Sequence, residues 1–396
     1  MNLEKVRLIL STGFPGLSKL IIIAIIFLKF GPNVSGMYSY YIAIPFTISL
    51  FTSLGYSSKV LKVIPVSTEK LRDFGSILIS SIVYLLIGFF ALGVTLYSLD
   101  VKYKFFAFVF LTSQHFYQIY RSYFIAEKLY SKCIFFECFI LILYVFSILI
   151  TKSESDLFLV LAVSNSLIFV IFYVRAIVKS LGRKIVHWFE QDVFIFSMNN
   201  LVGGAVSSLL PVVLSSRYSF EQIGVISLVT SMCNIFLIFP RSMVNYKLPS
   251  LVRLKQSDIL GYFTEVKNSR KLFFIVLFSS CILSSIINAG LFSFGNVLND
   301  RFDSQYAFLS VVIAFNIYIS SLPLYDGAVL FVEDKQIVNV ISNVIYLALF
   351  FLFISIIYLL DLILKIETFF LLMIIFAAMR YLYLYYEVKN EHKSNR

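Results

Sequence analysis

Long apolar runs separated by short polar breaks make up almost the whole chain. Runs of this kind, each close to the 20 or so residues that a helix needs to cross a bilayer, indicate membrane spans. The pattern predicts an all-α polytopic membrane protein with about twelve transmembrane helices, at residues 8–30, 36–56, 74–97, 103–126, 132–151, 156–178, 192–214, 221–243, 272–294, 305–330, 336–360 and 366–386.

The composition supports this class of protein. Of the 396 residues, 59% are hydrophobic and 14% carry a formal charge, whereas soluble domains hold about 25% charged residues. The net charge is +11, but no basic run with interleaved aromatic residues lies outside the apolar runs. Lysine and arginine collect in the cytoplasmic loops of membrane proteins. We therefore expect no nucleic-acid partner.

Motifs for cofactors and metals are missing from the sequence. No glycine-rich phosphate loop is present, so we expect no bound nucleotide. His115 is the only histidine inside a predicted helix, and no residue is spaced to share a metal with it. The four cysteines lie within apolar runs, where they serve as small packing residues. The sequence predicts neither a cofactor nor enzymatic chemistry.

The distribution of basic residues predicts the orientation of the chain. With a cytoplasmic N-terminus, the cytoplasmic loops, helix ends and tail hold 25 of the 33 Lys and Arg residues. Lys19 lies within the first helix. The opposite side holds only seven, namely Lys29, Lys102, Lys104, Lys152, Arg217, Arg301 and Lys365. Because such a bias sets orientation in short loops, both termini are predicted to be cytoplasmic.

The chain divides at its middle into two sets of six helices. The polar loop KSLGRKIVHWFEQD at 179–192 separates residues 1–180 from residues 181–396. Since six is an even number, both predicted bundles enter the membrane in the same direction. A weak repeat supports this division, since two sets of residues follow the spacing i, i+4, i+7: Thr12, Gly16 and Lys19 in the first helix, and Asn200, Gly204 and Ser207 in the seventh.

Lys19 is the residue with the strongest functional signal. A charge near the centre of a spanning helix costs about 2.5–3.5 kcal/mol even on insertion scales. Glycine- or proline-interrupted helices at matching places in two halves point to a transporter's binding site. We expect Lys19 to face water or an anion, together with Thr12, Gly16, Asn200 and Ser207. The alternative is that Lys19 binds backbone carbonyls freed by Pro15.

The fourth helix carries a polar face, and two carboxylates lie within apolar runs. Gln114, Gln118 and Arg121 share one side of the fourth helix, which predicts contact with water or substrate. Glu137 and Asp326 are candidates for ion coupling, because proton relays use acids inside the membrane. Interfacial positions for Arg121 and for the two acids are the alternative.

Two stretches resemble the bacterial polysaccharide flippases, the Wzx-type O-antigen members of the multidrug/oligosaccharidyl-lipid/polysaccharide (MOP) export superfamily. The similarity is specific over residues 9–66 and 240–256, which contain LSTGFPGLSKLIIIAIIFLKFGPNVSGMYSYYIAIPFTISLFTSLGYSS and RSMVNYKLPSLVRLKQ. The resemblance implies two helical bundles around a central cavity. It also implies that Lys19 and Arg121 meet the anionic groups of the substrate.

The function that this resemblance implies is translocation of undecaprenyl-pyrophosphate-linked O-antigen, or a related polysaccharide repeat unit, by alternating access. The repeat unit would pass from the cytoplasmic to the periplasmic leaflet of the bacterial inner membrane. Membrane lipids, together with the polymerase and the chain-length regulator of the same pathway, would be its partners. A diphosphate cannot enter hydrocarbon unpaired, so a cation within the membrane is compatible with this function.

Two other kinds of function remain open on the sequence. A drug or cation antiporter of the same superfamily would have a similar architecture, but its cavity should prefer acids over bases. A membrane-embedded O-antigen polymerase, or a ligase that transfers glycan to lipid A, would be an enzyme of similar size. Such enzymes are expected to carry a large periplasmic loop, whereas all predicted outer connections are short.

Overall fold

The computed structural model describes residues 3–99, 102–180, 190–295, 302–333, 335–362 and 364–394. Within these ranges, the side chains of 3–6, 8–9, 12, 179–180, 245–246, 248–249, 252, 256, 331, 336 and 390–394 lie outside the description. All regular structure in the described residues is helical.

The predicted helices of the first half all form. They are α1 (Leu3–Phe30), α2 (Pro32–Val63), α3 (Lys70–Ser98), α4 (Lys104–Ala126), α5 (Tyr130–Ile150) and α6 (Glu154–Ile168), which passes through a π-helical segment (Phe169–Val174) into α7 (Arg175–Ser180). α1 continues through Pro15 and α2 through Pro45. A proline inside a helix removes one backbone hydrogen bond, and in membrane helices neighbouring groups compensate for the loss.

The second half is more interrupted than the sequence predicts. Its helices are α8 (Gln191–Leu214), α9 (Phe220–Phe236), α10 (Ile238–Ser257), α11 (Ile259–Phe294), α12 (Tyr306–Ser321), α13 (Pro323–Val332), α14 (Gln336–Leu359) and α15 (Ile366–Ser394). The predicted eighth helix bends by 41° between α9 and α10. The predicted tenth helix breaks at Leu322, immediately before Pro323. Leu322 keeps helical backbone angles, but Pro323 has no N–H to donate to the preceding turn, which interrupts the hydrogen-bond pattern there.

Ten helices in the described part of the chain are long and apolar enough to cross a membrane, or eleven if the bent pair α9–α10 counts as one span. The predicted fourth span forms as α4 but is not among them. Its polar residues Gln114, Gln118 and Arg121 lower its hydropathy below that of its neighbours. The protein is therefore an all-helical, multi-pass membrane protein, and the orientation of its termini stays a prediction.

Contacts divide the chain into two compact units, Met1–Gly224 and Val225–Arg396. In the first unit, α2 packs against α1, α3, α4 and α8, while α5 packs against α1 and α6. The division falls within α9, whereas the polar loop at 179–192 divides the sequence into residues 1–180 and 181–396. The two six-helix bundles therefore stay a prediction.

Small residues bring α2 and α8 close together along most of their length. A Cβ atom on Gly55 would lie 2.4 Å from the carbonyl oxygen of Val193, so only glycine fits there. Thr47 Oγ1 lies 2.7 Å from Ser208 Oγ, further along the same pair of helices. Small and hydroxyl-bearing residues are typical of tightly packed membrane helices.

The second unit is organised around α12 and α15. α12 packs against α11 and α15, and α15 also contacts α13 and α14. The polar stretch 244–271 is helical in the structure, as the greater part of α10 and the first turns of α11. An ion pair of 2.7 Å between Lys247 and Glu265 joins these two helices.

Candidate functional site

Lys19 lies on α1, inside the apolar segment Gly13–Phe30. At 1.5 Å per residue, its Cα atom is about 9 Å from that of Gly13 and about 16 Å from that of Phe30. Lys19 is exposed on the surface of the first unit, and its Nζ lies 5.8 Å from the centre of the Phe46 ring on α2. Among the described residues, no carboxylate forms an ion pair with it. Lys19 thus places an unneutralised charge within a membrane span.

The residues around Phe46 show what else lies at the level of Lys19. Phe46 is followed on α2 by Thr47, whose hydroxyl contacts Ser208 of α8. Ser207, the neighbour of Ser208, is exposed, and its hydroxyl donates to the carbonyl of Gly204. Lys19 and Ser207 therefore lie at similar levels along α2, on two helices that both pack against it.

The polar face of α4 approaches the same level. Arg121 Nη2 donates to the carbonyl oxygen of Ser11 on α1 at 3.0 Å, which fixes α4 relative to α1. From Ser11, Lys19 lies about 12 Å along α1 towards its C-terminus. From Arg121, Gln114 lies about 10 Å along α4 towards its N-terminus. Gln114 and Gln118 are half-buried. Helix geometry thus puts Gln114 near the level of Lys19.

Arg121 itself is part of a buried ion pair. Its Nε lies 3.3 Å from Glu137 Oε1 on α5, and the hydroxyl of Tyr117 donates to the same oxygen at 2.6 Å. The side chain of Glu137 is 2% exposed and that of Arg121 is 18% exposed. The arginine predicted to meet substrate and the acid predicted to couple ions therefore neutralise each other in this structure.

Asp326 is paired in a similar way in the second unit. Its Oδ2 accepts a hydrogen bond from Arg270 Nη2 at 2.6 Å, and its side chain is 2% exposed. Arg270 also stacks on the ring of Tyr385, 4.6 Å from the ring centre. The two candidate coupling acids, Glu137 and Asp326, thus each lie beside an arginine on a neighbouring helix.

The remaining predicted site residues lie on α1 and α8. Gly16 is half-buried on α1, and the side chain of Thr12 lies outside the described residues. Asn200 is half-buried, and its Nδ2 donates to the carbonyl of Phe196 one turn earlier. Asn200 and Ser207 therefore each donate to a carbonyl of their own helix, and their role in binding stays a prediction.

Sequence reasoning misses a further charged residue within a span. Arg380 lies inside the apolar part of α15, where its guanidinium donates to Asn343 Oδ1 and packs over the ring of Tyr346. The charge count places it on the cytoplasmic side because it lies close to the end of the last apolar run. Its separation of fourteen residues from Ile366, the start of α15, is the signal that could have found it.

The fold is similar to that of solved MATE transporters. An inward-facing multidrug resistance MATE family transporter of this superfamily matches with a TM-score of 0.60 and 11% identity, over 100% of this chain and 97% of that chain. The MATE multidrug transporter DinF-BH, solved in complex with a ligand, matches with a TM-score of 0.59 and 14% identity, over 98% and 94%.

A third structure, a MATE in the straight conformation, matches with a TM-score of 0.52 and 11% identity, over 98% of this chain and 95% of that chain. No protein-family model and no curated protein matches the sequence. At such low identity the likeness shows the fold alone. The resemblance found in the sequence therefore agrees with these structures in fold, and a fold does not define a substrate.

Proposed function

We propose that the protein is a flippase for an anionic, lipid-linked oligosaccharide. Its substrate would be an undecaprenyl-pyrophosphate-linked O-antigen repeat unit, or a related polysaccharide unit. It would move this substrate from the cytoplasmic to the periplasmic leaflet of the bacterial inner membrane by alternating access. The observation that carries this proposal is the exposed Lys19 within α1, which has no carboxylate partner in the described part of the chain.

The charges of the described spans favour an anionic substrate. Glu137 and Asp326 are each paired with an arginine, and breaking a buried ion pair costs about 3–5 kcal/mol. An organic cation would have to separate one of these pairs, whereas an anion finds Lys19 already without a counter-ion. The energetic balance therefore supports binding of negative charge near Lys19.

The neighbourhood of Lys19 suits the chemistry of a glycosyl pyrophosphate. Lysine provides a compact positive charge with three donors, which is a common way to bind phosphate. Ser207 and Gln114 lie at a similar level, where the Ser207 hydroxyl can accept from a sugar and the Gln114 amide can donate to sugar or phosphate. The phosphate can then exchange water for these groups while the prenyl chain stays in lipid.

A drug or cation antiporter is the second candidate function. The fold fits this activity equally well, since two of the similar structures are described as multidrug transporters. An enzyme such as a polymerase or ligase is less well supported. The six connections predicted to be periplasmic are short, and the longest of them joins α11 to α12 across residues 295–305.

The test compares export per molecule in three forms of the protein: wild type, Lys19→Ala and Lys19→Arg. Surface glycan is divided by the amount of membrane-inserted protein in a strain that lacks the chromosomal copy. Loss of one charge-assisted hydrogen bond to phosphate should weaken binding about ten- to a hundredfold, and export should fall accordingly in Lys19→Ala. Lys19→Arg should retain part of the activity because the charge remains.

A matched control and a second assay separate the candidate functions. Lys104→Ala removes an exposed lysine at the start of α4 and should leave export unchanged. The deletion strain should accumulate lipid-linked units on the cytoplasmic leaflet and should keep its resistance to ethidium. An unchanged export ratio in Lys19→Ala would contradict the role of Lys19. Ethidium sensitivity with normal surface glycan would favour the antiporter, and a surface glycan of a single repeat unit would favour the polymerase.

A further inference from the structure

Arg380 is a charged residue deep in the apolar part of α15. The span on α15 runs from Ile366 to Lys389. At 1.5 Å per residue, the Cα atom of Arg380 lies about 21 Å from that of Ile366 and about 14 Å from that of Lys389. Arginine at such a depth is expensive, and it normally pairs with another group or marks a path for a charged ligand.

The guanidinium of Arg380 points sideways into the second unit. Its Nη2 donates to Asn343 Oδ1, and its Cζ lies 5.3 Å from the centre of the Tyr346 ring. Both residues are buried on α14, Asn343 being 4% and Tyr346 6% exposed. Asn343 lies seven residues, about 10 Å, from the start of α14. The side chain therefore remains inside the bundle and does not extend along α15 towards the end of the span.

Two buried polar groups, one on Arg380 itself and one on the residue that precedes Asn343, have no hydrogen-bond partner in the described part of the structure. They are the Nε of Arg380 and the Oγ of Ser342. Ser342 is fully buried and precedes Asn343 on α14. A buried donor without a partner is costly. An arginine fork and a serine hydroxyl, both with unused hydrogen-bonding capacity, are the groups that commonly bind phosphate oxygens.

The surroundings of Arg380 differ from those of Arg270, another arginine of the same unit that lies on a candidate span. Arg270 forms an ion pair of 2.6 Å with Asp326. No carboxylate among the described residues pairs with Arg380, whose contacts are a neutral amide and an aromatic ring. These contacts stabilise the positive charge without neutralising it. Arg380 is half-buried, so part of the side chain can still be reached from outside the unit.

We propose that Arg380, with Ser342 and Asn343, forms a binding site for a phosphate-type anion in the second unit. The anion is either the phosphate of an anionic lipid headgroup or the pyrophosphate of a prenyl carrier. The second source rests on the proposed flippase function, and the first does not. In both cases the guanidinium supplies the charge and the Ser342 hydroxyl an additional donor.

The experiment uses the full chain in nanodiscs of phosphatidylcholine. One arm titrates inorganic pyrophosphate and farnesyl pyrophosphate and measures the Kd. The other arm compares thermal unfolding in phosphatidylcholine nanodiscs with unfolding in nanodiscs that contain phosphatidylglycerol. Arg380→Gln should raise the Kd about tenfold or more if the site binds the pyrophosphate. It should remove the stabilisation by phosphatidylglycerol if the site binds a lipid headgroup. Arg253→Gln removes an exposed arginine of the same unit and should change neither arm.

A second variant tests the site without removing the arginine. Asn343→Asp keeps the size of the side chain but places a carboxylate beside the guanidinium, and this internal counter-ion should displace the bound anion. We expect this variant to remain folded and to lose the same binding as Arg380→Gln. Because it does not depend on the folding of Arg380→Gln, it gives an independent answer.

The outcomes separate the site from the proposed function. Loss of farnesyl pyrophosphate binding in both variants assigns the site to a prenyl carrier. Loss of only the phosphatidylglycerol-dependent stabilisation assigns it to lipid, even if Lys19→Ala has shown that the flippase proposal is wrong. If both variants behave as wild type in both arms, or if Asn343→Asp is folded and binds as wild type, the proposal is overturned and Arg380 serves only to pack α15 on α14.

Discussion

Gly36 of α2 and Gly224 of α9 face each other with no side chain between their backbones. A Cβ atom on Gly36 would lie 3.0 Å from the Gly224 nitrogen and 1.8 Å from the carbonyl oxygen of Phe220. A Cβ atom on Gly224 would lie 2.0 Å from the carbonyl oxygen of Pro32. Two glycines therefore set the distance between the start of α2 and the first turns of α9.

Replacement of Gly36 by alanine should destabilise the protein. The new methyl group would overlap a backbone carbonyl, which cannot move without moving a helix, and overpacking of this kind costs about 1–3 kcal/mol or more. The apparent melting temperature in detergent should fall. Gly93→Ala is the control, since its Cβ atom would meet only Phe108 at 3.8 Å. Equal melting temperatures for Gly36→Ala and Gly93→Ala would contradict the close approach of α2 and α9 at Gly36.

The pair Arg121–Glu137 predicts a marked difference between single and double variants. Arg121→Met leaves Glu137 buried without its cation and should cost about 3–5 kcal/mol. The double variant Arg121→Met/Glu137→Met removes both charges and should recover much of that loss. Thermal unfolding of the purified variants measures the difference. A double variant as unstable as the single one would argue against a direct interaction between the two side chains.

Lys29 is predicted to hold the end of α5 in place. Its Nζ donates to the carbonyl oxygens of Ile148, Leu149 and Thr151 at 2.6–2.9 Å. A cation at a helix C-terminus contributes up to about 2 kcal/mol in favourable, partly buried geometries. Lys29→Met should therefore lower the apparent melting temperature, whereas the exposed control Lys104→Met should not. Faster proteolysis between α5 and α6 in Lys29→Met would be an independent sign of the lost contacts.

The predicted orientation can be tested with reporter fusions. Fusions after Asn33 and Lys152 should report the periplasm, and fusions after Arg72 and Lys255 should report the cytoplasm. The reason is the excess of basic residues on the side of the termini. A periplasmic signal after Lys255 would contradict the predicted path of α9 and α10. Reversed signals at all four positions would invert the orientation as a whole.

The sequence predicts helices well where hydropathy determines them. The apolar runs of α3 and α14 define spans that the structure contains. Hydropathy could not predict the stretch 244–271, because a polar helix and a polar loop have similar composition. There α10 and α11 form nearly continuous helices, joined by the ion pair between Lys247 and Glu265.

The candidate site is predictable only for residues whose type conflicts with their surroundings. Lys19 stands out because it interrupts an apolar run. The pairing of Asp326 with Arg270 could not be predicted, since the two residues are 56 positions apart and meet only through the packing of α11 and α13. A charge count assigns Arg380 to a helix end, and its depth becomes clear only from the length of α15.

The polarity of α4 has a consequence for how the chain enters the membrane. α4 is not among the helices that are apolar enough to span a bilayer alone, so we expect it to partition poorly from the translocon as a single segment. On α4, His115 Nδ1 lies 3.2 Å from Thr52 Oγ1 of α2, and its Nε2 lies 3.0 Å from Ser81 Oγ of α3. α2 and α3 therefore offer His115 hydrogen-bond partners that lipid acyl chains lack. Biogenesis of this protein should therefore require that α2 and α3 remain beside the translocon until α4 emerges.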